Sequence, residues 1–177
     1  MTSAIARTLF AVLALTLGLG LHAADKKARD DGLSRADRSF VDTALEDGAT
    51  EVELGKIAQQ KGTSDAVKQF GKRMVDDHSK AGDELKGIIG KIGYTSKKDG
   101  PNPKAVKKFT EMKAERSDRE YAERMAGDHE KAVKLFRKEA DKGDNAELKQ
   151  FASKTLPTLE DHLKMARDLK AQTKAKK

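Results

Sequence analysis

The stretch Arg73-Met-Val-Asp-Asp-His78-Ser-Lys-Ala81 returns as Arg124-Met-Ala-Gly-Asp-His129-Glu-Lys-Ala132, identical at six of nine positions. A third copy, Glu160-Asp-His162-Leu-Lys-Met165, keeps the Asp-His-x-Lys kernel. The four histidines are His22, His78, His129 and His162, so every one after the first has the same local setting. Each of these three falls on the apolar stripe of a segment with a 3.6-residue period. A fold that accepts the sequence must therefore bury three helices side by side with a histidine on each inner face.

The periodicity sets out four long helices. Ser34 with Asp37 forms a capping box, each side chain bonding the other's backbone N–H, and opens a helix expected from Arg35 to Lys61. Its inward stripe is Phe40/Val41, Ala44, Gly48, Glu51/Val52, Gly55 and Ala58. After Thr63 and Ser64 a second helix runs to Ile92, with Phe70, Met74, His78, Ala81, Leu85, Ile88/Ile89 and Ile92 on one face. Residues Tyr94 to Pro103, rich in Gly, Pro, Ser and Lys, form the longest non-helical connection. A short helix from Lys104 to about Glu115 follows and is expected to fold back over one end of the bundle. Ser117 and Glu120 are read as the capping box of helix three, which ends near Lys142 and faces inward with Tyr121, Met125, His129, Ala132/Val133, Phe136 and Ala140. Asp144 with Glu147 is read as the cap of helix four. That helix runs to about Ala171, with Leu148, Ala152, Thr155, Leu159, His162, Ala166 and Leu169 inward. Pro157 lacks an N–H and crowds the carbonyl of Ser153, which predicts a kink. No stretch alternates with period two for long enough to make a strand, so the class is all-α: four long helices, one core and one long central connection.

Before the bundle, Arg7, the apolar run Leu9 to Leu19 and His22-Ala23-Ala24 read as a cleaved export signal over residues 1–23. The apolar run is well short of the ~20 residues that span a bilayer, so no transmembrane segment is expected in the mature form. Residues 24–34 read as a flexible leader, 35–171 as the bundle domain and 172–177 as a basic tail. With no cysteine, disulfides and a lipid-modified cysteine are excluded. The expected location is the periplasm or the exterior. The formal net charge is +7, one unit of it from Arg7. Lys and Arg alternate with Asp and Glu through most of the chain, the pattern of solvated helix faces. Nucleic-acid binding would need a clustered basic face or stacking aromatics, and the sequence has neither. Only the tail, from Lys170 onward, is one-signed, and it offers a weak contact with the envelope surface.

Depth along the helices places the histidines together. The expected centres of helices two, three and four lie near residues 78, 129 and 158, so at ~1.5 Å per residue His162 is only about 6 Å from its helix centre. Helix one, centred near 48, brings Glu51. Three imidazoles and a carboxylate can fill a tetrahedral shell around Zn²⁺ or leave positions open on Cu or Fe. Glu51, His78, His129 and His162 are thus the candidate ligands of a single transition metal. Met74, Met125 and Met165 lie within one turn of the histidines and could line the same cavity, although methionine is an ordinary core filler. The competing reading is a metal-free structural or interaction module whose buried histidines satisfy each other and Glu51. Asp77, Asp128 and Asp161 point about 100° away from their own histidines. They either orient a histidine on a neighbouring helix or are solvated. The residues three before the histidines are Val75, Ala126 and Leu159, so the Glu-x-x-His signature of di-iron carboxylate bundles is absent. No nucleophilic or phosphoryl-transfer motif appears, and an oxidase or peroxide-consuming enzyme would need a redox metal with an open coordination position.

Thr50 to Ala58, Val67 to Ala81, Arg124 to Ala140 and Lys154-Thr-Leu-Pro-Thr-Leu-Glu-Asp-His-Leu-Lys-Met165 together resemble a family of exported bacterial proteins. That family is known as a domain of unknown function, and its members often carry an outer-membrane-protein label. The resemblance covers about 36–170, with several motifs in order, and implies a ferritin-like four-helix bundle in the cell envelope with no established activity. Where that family often has Phe-Asp at the start of helix three, this chain has Ser117-Asp118. The residues show none of the strand alternation of a membrane barrel.

Overall fold

The computed structural model describes residues 32–175. The expected signal segment, most of the leader and the last two lysines lie outside the described residues. The elements are α1 (Arg35–Lys61), α2 (Asp65–Ile92), α3 (Pro103–Thr110), α4 (Ala114–Lys142) and α5 (Ala146–Ala175). The protein is an all-α bundle, as its periodicity predicts. Among the described residues no helix is long and apolar enough to cross a membrane.

The caps explain where the helices begin and end. At α1 both bonds of the capping box form: the Asp37 N–H donates to Ser34 Oγ at 3.1 Å and the Ser34 N–H to Asp37 Oδ2 at 3.3 Å. Ser64 Oγ accepts from the Val67 N–H at 3.3 Å to open α2. Gly93, at φ 79°, closes α2 in the left-handed conformation that only glycine adopts without cost, and the next N–H, that of Tyr94, returns to the Ile89 carbonyl at 3.0 Å. Three expectations need correction. Helix three starts at Ala114, with no side-chain cap on Lys113; Ser117 Oγ instead donates to the Ala114 carbonyl at 2.8 Å, and Glu120 pairs with Arg116 at 3.2 Å. Its neighbour Asp118 reaches across to the start of α2 and accepts from the N–H groups of Thr63 and Ser64, both at 2.9 Å. At α5 the capping oxygen is that of Asn145, accepting from Glu147 and Leu148 at 3.0 and 3.1 Å, because Asn145 directly precedes the first helical residue. Finally, α5 carries the exposed Pro157 within it and runs to Ala175, past the end expected near Ala171.

Side-chain contacts fix the topology. The start of α2 meets the start of α4 through Asp118, while the start of α1 meets the end of α4, since the Asp144 N–H donates to Asp37 Oδ1 at 3.0 Å. Thus α2 and α4 run parallel, and α1 and α5 run opposite to them. Getting from the end of α2 to the start of α4 requires a connection as long as the bundle, and residues 93–113 supply it along the flank of α1. Tyr94 Oη and Ser96 Oγ donate to Asp42 at 2.8 and 2.7 Å, Lys98 pairs with Glu46 at 2.7 Å, and the Asn102 N–H donates to Thr50 Oγ1 at 2.8 Å. The short helix α3 lies at the far end of this strap with Ala105 and Phe109 buried. It packs alongside α1 rather than folding over the bundle end. One long crossover between the second and third long helices is the ferritin-type connection.

The backbones of α1 and α2 approach closely at two glycines. A Cβ on Gly55 would stand 2.6 Å from the Gly71 carbonyl oxygen, and one on Gly71 would stand 2.7 Å from that of Gly55. The core divides into two apolar clusters. One gathers Phe40, Val41, Leu85, Phe136, Phe151 and Leu159; the other gathers Leu54, Phe70, Met74, Phe109, Tyr121 and Met125. Leu45, Leu54 and Phe151 belong to them although the expected stripes omit them. Each of their helices packs on two neighbours, which widens the buried face beyond one line of residues. The three histidines lie along the chain between the residues of these clusters.

Candidate metal centre

Apolar residues one turn away hold each histidine in the interior: Met74 before His78, Met125 before His129 and Leu159 before His162. Relative exposure is 8% for His78, 0% for His129 and 1% for His162. The ring centroids form a nearly equilateral triangle, 5.4 Å for His78–His129 and 5.3 Å for each of the other two pairs. One ring nitrogen from each residue lies within 4.8 Å of the others, and Nε2 of His78 is 3.4 Å from Nε2 of His129. A tetrahedral ion with bonds of ~2.1 Å separates its donor nitrogens by about 3.4 Å and the centroids of its imidazoles by about 5.3 Å. The three centroid distances and the His78–His129 nitrogen distance match these values.

Hydrogen bonds settle which nitrogen of each ring is free. His129 Nδ1 lies 3.0 Å from the Met125 carbonyl oxygen. A carbonyl only accepts, so the proton is on Nδ1 and Nε2 carries a lone pair. His78 Nδ1 faces Glu51 Oε2 at 3.2 Å, which assigns its proton to Nδ1 in the same way. Nε2 of His162 lies 2.8 Å from Asp77 Oδ2, leaving Nδ1 unprotonated, and that buried Nδ1 has no hydrogen-bond partner. Two acceptor nitrogens therefore abut at 3.4 Å with a third orphaned beside them. Three buried lone pairs without a donor are costly as they stand, and a cation relieves all three.

The electrostatics favour the neutral form of His78 and His162. Burial pushes the His78 imidazole below its ordinary value against the pull of Glu51, and His129 beside it adds to the depression. His162 is lowered to about 4 by burial and by the neighbouring His78, with the Asp77 hydrogen bond offsetting only part of this. Neutral imidazole is the form that ligates a metal.

Among the expected ligands, Glu51 is 3% exposed and meets the cluster through the outer nitrogens. Its Oε2 is 3.2 Å from His78 Nδ1, and its Oε1 is 3.5 Å from His129 Nδ1. A carboxylate, a carbonyl and a second carboxylate thus each orient one imidazole, the usual arrangement behind metal-bound histidines. Asp77 is the carboxylate that acts on a neighbouring helix. Its offset of one residue from His78 turns it toward α5, the signal by which the sequence pointed to such a role. Asp128, its counterpart, pairs with Arg124 at 2.6 Å, and Asp161 is exposed. Met74 and Met125 are fully buried among Phe70 and Tyr121, with Met165 packed against that cluster. The carbonyl partner of His129 has no signature in the sequence, since any residue four before it would supply one.

A family profile described as "Domain of unknown function (DUF4142)" matches residues 22–169. Comparison with curated proteins finds no match. Among solved structures, the crystal structure of a DUF305 fragment from Deinococcus radiodurans is similar, with TM-score 0.68 and 13% identity over 79% of this chain and 98% of that one. At that identity the likeness extends to the fold alone. The profile match spans most of the chain, including all three histidines and the bundle that carries them, and the protein belongs to the DUF4142 family of domains of unknown function.

Proposed function

We propose that this protein binds one transition-metal ion, Zn, Cu or Fe, through His78 Nε2, His129 Nε2 and His162 Nδ1, as a periplasmic bundle serving metal handling or envelope stress. Glu51 belongs to the site, as the carboxylate behind His78 and within reach of His129. The observation that carries the reading is three buried histidines with one ring nitrogen of each within 4.8 Å of the others and no donor for His162 Nδ1. An imidazole set leaves at least one coordination position for an outside ligand. The test is thermal melting of protein purified without an affinity tag, with and without each metal, beside a variant carrying His78→Ala, His129→Ala and His162→Ala. Metal at 100 times its Kd adds about 2.7 kcal/mol to the native state, a rise of several degrees that the variant should lack. Unchanged melting with all three metals would sink the reading.

The competing reading, a metal-free envelope interaction module, draws on the same Glu51–His78 contact. It leaves His162 Nδ1 without a donor, and for that reason the metal reading is preferred.

A further inference from the structure

Two histidines of the triad line a cavity of about 240 Å³. His78 and His162 face it, and Leu85, Phe136, Phe151 and Leu159 form apolar walls. Small side chains keep it open: Ala44, Gly48 and Ala81 line it, and even a Cβ on Gly48 would come no nearer to His78 Nδ1 than 3.9 Å. A single water occupies ~30 Å³ of liquid, so the space exceeds what a metal-bound water needs. The exposed Asp47, Asp83 and Asp99 also line it, against one ammonium, that of Lys86. A carboxylate-lined entrance admits cations and neutral molecules and repels anions.

We infer that the cavity is a ligand site on the metal's open side. Its occupant is a small neutral heteroaromatic molecule that gives one nitrogen to the metal and lays an apolar body along Leu85, Phe136, Phe151 and Leu159. This rests on the metal reading above: three imidazoles leave the fourth position, and two of the three, His78 and His162, also line the cavity, so that cavity and metal site share these side chains. A closed structural site would have a fourth protein ligand and no such space.

Cobalt(II) replaces the native ion as a visible probe, because its absorption bands respond to a change of ligand. The full-length protein loaded with cobalt would be titrated with imidazole, 4-phenylimidazole and azide. Burial of the phenyl ring in the apolar walls should make 4-phenylimidazole bind at least about tenfold more tightly than imidazole, and azide, an anion, should bind most weakly. Thr155 lines the cavity seven residues before His162. Thr155→Phe should keep the cobalt bands and lose most of the phenyl advantage. Equal affinities for the two azoles, or tightest binding by azide, overturns the inference while cobalt bands uphold the metal site. A Thr155→Phe protein that keeps the bands and the full phenyl advantage also overturns it. Absence of cobalt bands overturns the metal reading and this inference together. The comparison of the three ligands uses the unaltered protein, so it stands even if the variant does not fold.

Discussion

Replacing Glu139 with Gln should make the protein more stable than wild type above pH 7 and leave it close to wild type near pH 5. Glu139, 5% exposed on α4, hydrogen-bonds the fully buried Asp37 of α1. Asp37 already accepts from the N–H groups of Ser34 and Asp144. Burial, then the charge and hydrogen bond of Asp37, raise the Glu139 carboxyl from 4.5 to about 7. The folded state therefore holds this proton more tightly than the unfolded chain does, and stability falls as pH rises from 4.5 through 7. The gap is worth roughly 3 kcal/mol at ~1.4 kcal/mol per pH unit, of which about 2.5 kcal/mol should disappear between pH 5 and pH 8. Gln donates from its amide without titrating and occupies the same space. Urea unfolding of both proteins at pH 5, 6, 7 and 8 gives the difference directly. Parallel stability curves for wild type and variant across that range would refute the shared proton.

Gly55→Ala should destabilise by about 1–3 kcal/mol, because the new methyl meets the Gly71 carbonyl at 2.6 Å; Gly87→Ala, where nothing lies within 4 Å, serves as the control in the same urea experiment. Asp77→Asn should weaken metal binding by about 10–100-fold in competition with a chelator, as loss of a carboxylate behind a ligating histidine does. Asp128→Asn, whose partner is Arg124, should leave it unchanged. Metal-free protein should lose stability relative to a metal-free His162→Gln variant as pH falls below 6.5 toward 4. The lowered His162 refuses a proton that the unfolded chain accepts, whereas Gln does not titrate, and melting temperatures that stay a constant distance apart across that window would contradict the assignment.

Helix number, order and the depth of the histidines were legible because they depend on local periodicity and chain arithmetic. The capping box at Ser34 was legible for the same reason, both of its partners being three residues apart. The starts of α4 and α5 were not. Ser117 and Asp144 look like caps in isolation, but Asp118 is drawn to Thr63 and Ser64 and the Asp144 N–H to Asp37, contacts more than 50 residues apart in sequence. The path of the 93–113 strap was also hidden, since it depends on Asp42, Glu46 and Thr50 of α1, spaced as one exposed face of a helix. Of the site, the histidines and the nearness of Glu51 could be read from the sequence. The tautomers could not, because they follow from which oxygen each outer nitrogen meets.

Elemental analysis of protein purified without an affinity tag, beside the triple histidine-to-alanine variant, bears most directly on the account. About one equivalent of a single transition metal in the native protein, absent from the variant, is the predicted result. Native protein that contains no metal and takes up none from added Zn²⁺, Cu or Fe would contradict it, and would make the three histidines core residues only.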